Sequence, residues 1–381
     1  MKKRQLIIPI LAGLVVGQIF AESESPLTVV NTLRLGYDDN VYRTSDDAQA
    51  SAYLQDIIEL SFRAALSERT DLIFTSRFDY QSDKEGNFYP SLYAVLTHSA
   101  SPRLMLQLSD KLTSGNRTSS SEEGRYDYFE NTLSFAPSYV LSPKDSLSAP
   151  VSYMIKRHDD EVDYQDVDII TGGVSWKREL SPQRTWAAIN LNQMWADYVN
   201  RDSTYDSTRL TTEISHTFNP EWHGNVEAGV TFDKTDFTDN VGKNTTSDGT
   251  NPFFAAGLAY EPSPQTRFTA DVSRQYKDSN NASYAGETSS ALTLGAQHDF
   301  TAKIMGKVTA RFVESEYDRA DNEAGGGDTT DEYFDLSVRM HYKINRINFL
   351  ELGLRHRETS YDDGDHDWDQ NMVDVGWRVE L

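Results

Sequence analysis

The chain has 381 residues, of which 38% are hydrophobic, and its formal net charge is −23. Its mean hydropathy is −0.59. Beyond the N-terminal segment no run of about eighteen apolar residues occurs, which excludes helical membrane spans. The absence of cysteine excludes both a disulfide framework and a lipid-anchored lipoprotein, which needs a cysteine at its cleavage site.

The N-terminal residues have the composition of a secretory signal peptide. Three basic residues at positions 2–4 precede an apolar stretch over 6–16. Ala21 is a suitable cleavage position, and cleavage after Ser23 is the alternative. We therefore expect a signal peptide over residues 1–21, a short periplasmic segment over 22–27 and one barrel domain over 28–381.

From residue 28 to the C-terminus, segments of about ten residues carry apolar side chains at every second position. A tilted strand of about nine to eleven residues crosses a bilayer, and only one of its faces must be apolar. Eight short connections rich in Pro, Ser and Asn alternate with nine longer acidic ones. The pattern predicts an all-β fold, an antiparallel up-and-down transmembrane β-barrel of about 18 strands with short periplasmic turns and long extracellular loops.

A soluble antiparallel sandwich is the alternative interpretation of this alternation, because its apolar face would point into a core. The positions of the aromatic residues favour the membrane barrel instead. Tyr37 and Tyr80 lie near long loops, and Trp176 and Phe218 lie near short turns. Aromatic residues at both strand ends are typical of the two girdles that a barrel places at the bilayer surfaces.

The polar faces of the predicted strands carry charges of both signs, which nearly cancel. Such rows can line a hydrated pore with a transverse field, or they can form a salt-bridged wall without a passage. We favour the pore, because a barrel of about eighteen strands leaves an aqueous channel unless loops or a plug fill it. The pore-lining candidates are Arg34, Glu59, Arg63, Arg77, Asp79, Lys111, Arg209, Glu213, Glu227, Asp271, Arg311, Asp335, Arg339, Glu351 and Arg355.

The long loops hold most of the acidic charge, which places it on the outer rim. In the last loop Asp363, Asp365, Asp367 and Asp369 occupy every second position. These carboxylates could converge on Ca²⁺ if the loop curls, since Ca²⁺ takes six to eight oxygen ligands. The loop lacks the spaced Glu of an EF-hand, and a merely solvated acidic loop is the alternative. We expect no other cofactor.

Catalytic chemistry has no clear signature in this chain. The eight histidines are scattered over turns, strands and loops. No Ser and His pair recurs at a spacing that nucleophilic catalysis would require. We therefore expect no catalytic residue and no enzymatic activity.

Two segments resemble known outer-membrane proteins. The C-terminus alternates apolar Val373, Val375, Trp377, Val379 and Leu381 with polar residues. It resembles the C-terminal β-signal read by the barrel-assembly machinery, although Leu replaces the usual terminal Phe. The segment 33–44, LRLGYDDNVYRT, resembles the first strand of a family of β-barrel porins often associated with exopolysaccharide export. The resemblance implies a porin-like channel in the outer membrane of a Gram-negative-type bacterium and leaves the cargo unnamed.

Two functional hypotheses follow. The first is a channel through which small hydrophilic solutes or a polysaccharide chain pass, with the acidic rim favouring cations or neutral sugars. The second is a structural or adhesive barrel whose acidic loops bind surface glycan or cations. The expected partners are outer-membrane lipid, lipopolysaccharide, the barrel-assembly machinery and the solute or glycan, with no nucleic acid.

Overall fold

The structure is a computed structural model. It describes residues 26–82, 87–117, 126–158, 166–199, 203–238, 244–277, 284–319, 329–362 and 367–381. The predicted signal peptide and the segment up to residue 25 lie outside these ranges. Within them, no helix has the length and apolar character to cross a membrane.

All strand segments of the described residues belong to one antiparallel sheet. They are β1 (Leu27–Asp38), β2 (Ser51–Ser67), β3 (Thr70–Gln81), β4 (Asn87–Ser101), β5 (Leu104–Arg117), β6 (Tyr126–Ser142), β7 (Asp145–Ser148), β8 (Val151–His158), β9 (Val167–Ser181), β10 (Thr185–Tyr198), β11 (Ser203–Asn219), β12 (Trp222–Thr238), β13 (Asn244–Ser263), β14 (Thr266–Lys277), β15 (Tyr284–Thr301), β16 (Ile304–Arg319), β17 (Thr329–Lys343), β18 (Asn348–Tyr361) and β19 (Trp368–Glu380).

The sheet closes on itself, because β19 pairs with β1 from Val30 opposite Glu380 to Asp38 opposite Met372. Segments β7 and β8 both pair with β6 and β9 and form a single strand. The strand is interrupted next to Pro150, which has no backbone N–H to donate. The fold is thus a closed barrel of 18 strands, and the predicted fold class is confirmed.

The short turns owe their shape to one side chain at the end of the incoming strand. The side-chain oxygen of this residue accepts hydrogen bonds from the backbone N–H groups two and three positions later, which is how Ser, Thr and Asn favour turns. Asn219, for example, accepts from Glu221 and Trp222, both at 2.9 Å. The same arrangement occurs at Ser101, Ser142, Thr301 and Asn345.

The strands are longer at the opposite end, which we call the long-loop end, than the sequence pattern predicted. The loss of apolar alternation predicts a loop over residues 233–251, yet β12 continues to Thr238 and β13 begins at Asn244. The extension is polar: Asp236 contacts Lys234 at 2.5 Å and accepts from the Thr246 hydroxyl at 2.6 Å. Apolar alternation stops where the strands leave the bilayer, whereas the backbone hydrogen bonds between the strands continue beyond that point. The predicted loop boundaries were therefore wrong.

The two faces of the barrel are inverted relative to a soluble protein. Along β18, Leu350, Leu352 and Leu354 are exposed on the outside, whereas the residues between them point inward. Glu351 is only 3% exposed. A soluble sandwich would bury the leucines and expose the glutamate, so this arrangement excludes the sandwich interpretation.

Aromatic side chains on the outer face lie near both ends of the barrel. Trp176, Phe218 and Phe300 are exposed near the short-turn end. Tyr37 and Trp195 are exposed toward the long-loop end. These positions match the two predicted girdles.

One glycine of β1 is required by a close approach inside the barrel. The ring of Tyr53 lies over Gly36, its direct partner on β2. A Cβ atom at residue 36 would lie 2.3 Å from the Tyr53 Cζ atom. Only glycine therefore allows the tyrosine to lie flat against β1 near the seam between the chain ends.

We predict that Gly36→Ala destabilises the barrel by about 1–3 kcal/mol, the usual range for overpacking a tight site. The measurement is thermal unfolding of the detergent-folded protein, followed by circular dichroism and by gel mobility with and without heating. Gly172→Ala is the matched control, because nothing lies within 4 Å of the Cβ position there. Equal stability of the two variants would contradict the prediction.

Candidate functional site in the barrel interior

The strand register places all fifteen predicted pore-lining residues on the interior face. Directly paired residues of neighbouring strands share a face, and faces alternate along each strand. Arg34 pairs with Gln55, Glu59 with Arg77, and Arg311 with Asp335. The remaining candidates have the same parity on their own strands. That these residues line a conducting passage remains a prediction.

Charged groups midway along several strands are exposed although they point inward. Lys111, Asp271 and Arg311 all have this character. Arg63 is also exposed and points inward, but it lies nearer the short-turn end of β2. Ionised groups in a packed interior would be buried and paired, because desolvation of a charge is costly. Their exposure indicates that solvent reaches the middle of the barrel.

The densest group of ion pairs lies beside the seam where β19 meets β1. Glu351 of β18, with a side chain only 2% exposed, accepts from Arg34 at 2.9 Å and from Arg339 at 3.3 Å. Arg339 also binds Asp374 through two bonds of 3.0 Å. The Arg34 Nε atom lies 3.7 Å from the same aspartate. Four strands are thereby joined by one network of alternating charge.

Gly353 makes room for the paired Arg339 and Asp374 side chains. A Cβ atom at residue 353 would lie 2.2 Å from an Asp374 carboxylate oxygen and 2.6 Å from an Arg339 nitrogen. The guanidinium group of Arg339 therefore crosses directly over the backbone of β18. Any larger residue at position 353 would displace this bidentate pair.

A second group of charges lies nearer the long-loop end of β17 and β18. Asp335 accepts from the Arg355 Nε atom at 3.0 Å and from the Tyr333 hydroxyl at 3.1 Å. The Arg357 Nε atom lies 3.8 Å from the same carboxylate. Arg357 also donates to the Gln370 side chain at 3.3 Å. One carboxylate thus faces two guanidinium groups, which leaves positive charge on the interior side.

The start of the first long connection folds inward over these groups. Asn40, which is buried, donates to the backbone oxygens of Thr44 and Asp369, both at 2.9 Å. Gln370 donates to Asp38 at 2.7 Å and to the Asn40 oxygen at 3.1 Å. We call residues 41–43, which these bonds hold inside the barrel, the inward segment.

Arg43 ends the inward segment in a strained, left-handed backbone conformation, with φ of 56°. Its guanidinium carbon lies 5.8 Å from the centroid of the Trp368 ring. Burial, together with the nearby Arg357 guanidinium, lowers the pKa of Arg43 to about 10. The side chain is therefore still cationic at neutral pH, in a crowded region of like charge.

Together these elements enclose a cavity of about 330 Å³. The inward segment forms one side, and residues of β1 to β4 and β17 to β19 form the others. Six arginines line the cavity, while Asp38 and Asp374 are the acidic residues at its surface. The lining arginines are Arg34, Arg43, Arg77, Arg339, Arg355 and Arg357.

The wall diametrically across the barrel carries a pair of carboxylates. Glu213 of β11 and Glu227 of β12 are directly paired on the interior face. Glu227 accepts from the Thr211 hydroxyl at 2.5 Å and from Asn190 at 3.4 Å. With β7 and β8 counted as one strand, β11 lies nine strands from β1 in either direction. Arg209 of β11 lies on the same interior face, so this wall carries charges of both signs, and the transverse field stays a prediction.

Several residues of this region were missed by sequence reasoning. Asn40 and Arg43 lie inside the loop predicted over 38–50, and Arg357 lies inside the loop predicted over 356–369. Gln370 directly follows that second loop. The signal that could have found Arg357 is the polar alternation of β18, which continues past Arg355 on the interior face. For Asn40 and Gln370 no local signal exists, because their contact joins residues 330 positions apart.

Of the two other predicted sites, the Ca²⁺ site is only partly within the described residues. Asp363 and Asp365 of the proposed Ca²⁺ site lie outside them. Asp367 accepts from the Tyr361 N–H at 2.7 Å, and Asp369 interacts with Asn371. Among the described residues, no three His, Cys, Asp or Glu side chains are grouped so as to hold a metal. The predicted assembly signal, Val373 to Leu381, lies on the last strand with its apolar side chains outward, and its recognition stays a prediction.

Comparison with known proteins identifies the type of barrel. The family described as Putative beta-barrel porin 2 matches residues 199–381, just under half of the chain. The sequence matches no curated protein.

Solved structures with a similar fold come from outer-membrane channels and transporters. OccK1 (OpdK) of Pseudomonas aeruginosa is 13% identical with a TM-score of 0.51, and the match covers 93% of this chain and 99% of that one. OpdL of the same organism is 13% identical with a TM-score of 0.50 and the same coverage. The unliganded ferric citrate transporter FecA is 6% identical with a TM-score of 0.53, over 93% and 78% of the two chains.

At these identities the structural likeness shows the fold alone. Together with the family match, it confirms the predicted resemblance to β-barrel porins. The family match also supports the predicted location in the outer membrane of a Gram-negative-type bacterium.

We predict that Glu351→Gln lowers the free energy of unfolding by about 3 kcal/mol, because it leaves two partly buried arginines without their shared, buried carboxylate. Glu59→Gln is the matched control: Glu59 also binds an arginine at 3.1 Å, but its side chain is 43% exposed. Glu59→Gln should lower the free energy of unfolding by less than about 1 kcal/mol. Denaturant unfolding in detergent measures the stability of both variants. If Glu351→Gln and Glu59→Gln lowered the free energy of unfolding equally, burial of the Glu351 network would contribute nothing to stability.

Proposed function

We propose that this porin-type outer-membrane barrel is a passive channel for small hydrophilic solutes. The observation that carries the proposal is the exposure of inward-pointing charges midway along the strands, at Lys111, Asp271 and Arg311. Charged groups that keep contact with solvent there imply a hydrated passage. A barrel of 18 strands is also wide enough to leave one.

The inward segment favours small solutes over a polysaccharide chain. Residues 41–43 take up part of the cross-section beside β1, β18 and β19. Their anchors are hydrogen bonds from buried side chains, so the segment is a fixed part of the wall. A solute of a few sugar rings or fewer fits such a narrowed lumen better than an extended glycan.

Ion selectivity should depend on salt concentration. The acidic rim attracts cations, but its field is screened within about 10 Å at 0.1 M salt and about 3 Å at 1 M. The arginines by the inward segment and the glutamates opposite are partly buried and are screened less. We therefore expect a cation preference that the rim supplies at low salt and that declines as salt rises.

The test is conductance of the purified, folded protein in planar bilayers. We expect stable single-channel steps and a reversal potential in a KCl gradient that indicates cation preference at about 0.03 M and much less at 1 M. Folded protein that gives no steps would overturn the proposal. A cation preference that does not change with salt concentration would show that the barrel interior alone, and not the acidic rim, determines ion selectivity.

Removal of the connection over residues 320–328 separates this function from the adhesive alternative. These bounds leave both neighbouring strands intact, because β16 extends to Arg319 and β17 begins at Thr329. If the channel hypothesis is correct, the deletion leaves single-channel conductance unchanged. If the adhesive hypothesis is correct, it abolishes binding of the protein to lipopolysaccharide or surface glycan.

We further predict that Asn40→Ala raises single-channel conductance and its noise, because the variant releases the inward segment from Thr44 and Asp369. Asn345→Ala is the control. Asn345 also holds a turn, through backbone N–H groups of Ile347 and Asn348 at 3.0 Å, but at the short-turn end. The control should conduct like the unaltered protein; an Asn40 variant that does so as well would show that the segment does not narrow the passage.

A further inference from the structure

We propose that the arginine-lined cavity beside the inward segment is a binding site for a small solute in which a ring carries a carboxylate group, either an aromatic acid or an acidic sugar. The inference rests on the proposed channel function and names the class of solute that such a channel would take. It joins three observations: the charge that the cavity presents, the placement of that charge on several sides, and the aromatic wall between.

The cavity presents guanidinium groups to a solute far more than carboxylates. The side chains of Arg77 and Arg355 are 44% and 39% exposed. The Asp335 carboxylate that pairs with Arg355 is 13% exposed, and that of Asp374 is 10% exposed. Asp335 and Asp374 therefore lie behind the arginines that they pair with. Glu59, the partner of Arg77, is 43% exposed but does not line the cavity, so the accessible surface of the lining is mainly cationic.

Both acids at the cavity surface already have their hydrogen-bonding capacity engaged. Asp374 is held by the two 3.0 Å bonds from Arg339. Asp38 accepts from the Asn40 backbone at 3.0 Å and from Gln370 at 2.7 Å. Both carboxylates are therefore held in place by donors of the protein. They do not depend on a cationic group of the solute as a partner.

The guanidinium groups approach the cavity from different directions. Arg77 extends from β3, Arg355 from β18, and Arg43 from the inward segment. A planar guanidinium has five N–H donors in a fork that matches a carboxylate. Arg77 already binds Glu59 and Asp79, and Arg355 already binds Asp335, but each of these two side chains has further N–H groups. These N–H groups, together with Arg43, can hold one carboxylate while the rest of the solute lies between the walls.

The rest of the wall suits a ring. Tyr42, Tyr53 and Tyr89 line the cavity together with Val41 and Met372. Tyrosine offers a flat apolar surface with a polar edge, which packs against aromatic and sugar rings alike. The volume of about 330 Å³ lies at the lower end of the range for small-molecule sites, about 300–1,000 Å³. Inorganic sulfate would use the arginines but leave this wall without contacts.

The test is calorimetric titration of the full-length protein, folded in detergent, with benzoate, glucuronate, benzyl alcohol, glucose and sulfate. We expect binding of benzoate, glucuronate or both, and at least about tenfold weaker binding of the two neutral compounds and of sulfate. Binding of benzoate alone would identify the solute as an aromatic acid. Binding of glucuronate alone would identify it as an acidic sugar. Equal binding of a neutral compound and its acid, equal binding of sulfate, or no binding of either acid overturns the proposal.

Two variants locate the site. Arg77→Gln should weaken binding of the acid about tenfold or more, the usual effect of removing a charged hydrogen-bond donor. It should still fold, because the pair that Arg77 forms with Glu59 is exposed. Arg43→Gln should act in the same direction from the inward segment.

Arg274→Gln is the matched control. Arg274 is 47% exposed and binds Glu316 at 3.0 Å, but it lies on the outer face beside Phe254. Its replacement should leave binding unchanged, and a loss equal to that of Arg77→Gln would overturn the location. Calorimetry needs no membrane, so it tests the site separately from the channel. If the protein conducts normally but does not bind the acids, only the proposed binding site is rejected. If it binds an acid but does not conduct, the channel function is rejected and the binding site is retained.

Discussion

The backbone inside a bilayer has no water to bind, and every other property of this fold follows from that constraint. Each N–H and C=O within the hydrocarbon must find a partner in the protein, so an open sheet edge is not tolerated there. The pairing of β19 with β1 removes the last edge. Because the outside is hydrocarbon, the apolar face must point outward, and the polar half of every strand is left to fill or line the interior.

The seam where the chain ends meet carries more than backbone hydrogen bonds. The ion pair between Arg34 and Glu351 links β1 to β18 across β19, between residues 317 positions apart. The bonds of Gln370 to Asp38 and Asn40 do the same closer to the long-loop end. Closure of the barrel, attachment of the inward segment and formation of the arginine cavity therefore depend on the same few strands. A substitution made there for its effect on transport will also affect stability.

The period-two pattern was sufficient to predict which way side chains point. All fifteen pore-lining candidates have inward parity, because one apolar outer face fixes the register of its strand. Strand ends were less predictable. Where β12 and β13 pass beyond the bilayer, both faces are polar, as at Lys234, Asp236 and Thr246, and the alternation that marks a strand disappears.

The inward segment could not be predicted at all. Its position is set by Asn40 and Gln370, which are distant in sequence and meet only after the barrel has closed. The same holds for the cavity: Arg77 and Arg355 are visible as inward residues of their strands, but their approach to Arg43 requires the fold around the first connection. The local alternation of a strand predicts which face of the barrel each side chain occupies. Which side chains come into contact depends on how the barrel closes.

Acidic loops outside and arginines inside are compatible with one transport route. At physiological salt the field of the rim falls off within about 8 Å, so it biases the approach of a solute without excluding anions from the lumen. The partly buried guanidinium groups at the narrow level keep more of their field, and the Glu213 and Glu227 pair across the barrel repels the same carboxylate toward them. A carboxylate-bearing solute is thus drawn to one wall and held there with its neutral part toward the open side. The side of the lumen on which a solute travels is therefore set by the interior, and the number of ions that reach the entrance is set by the rim.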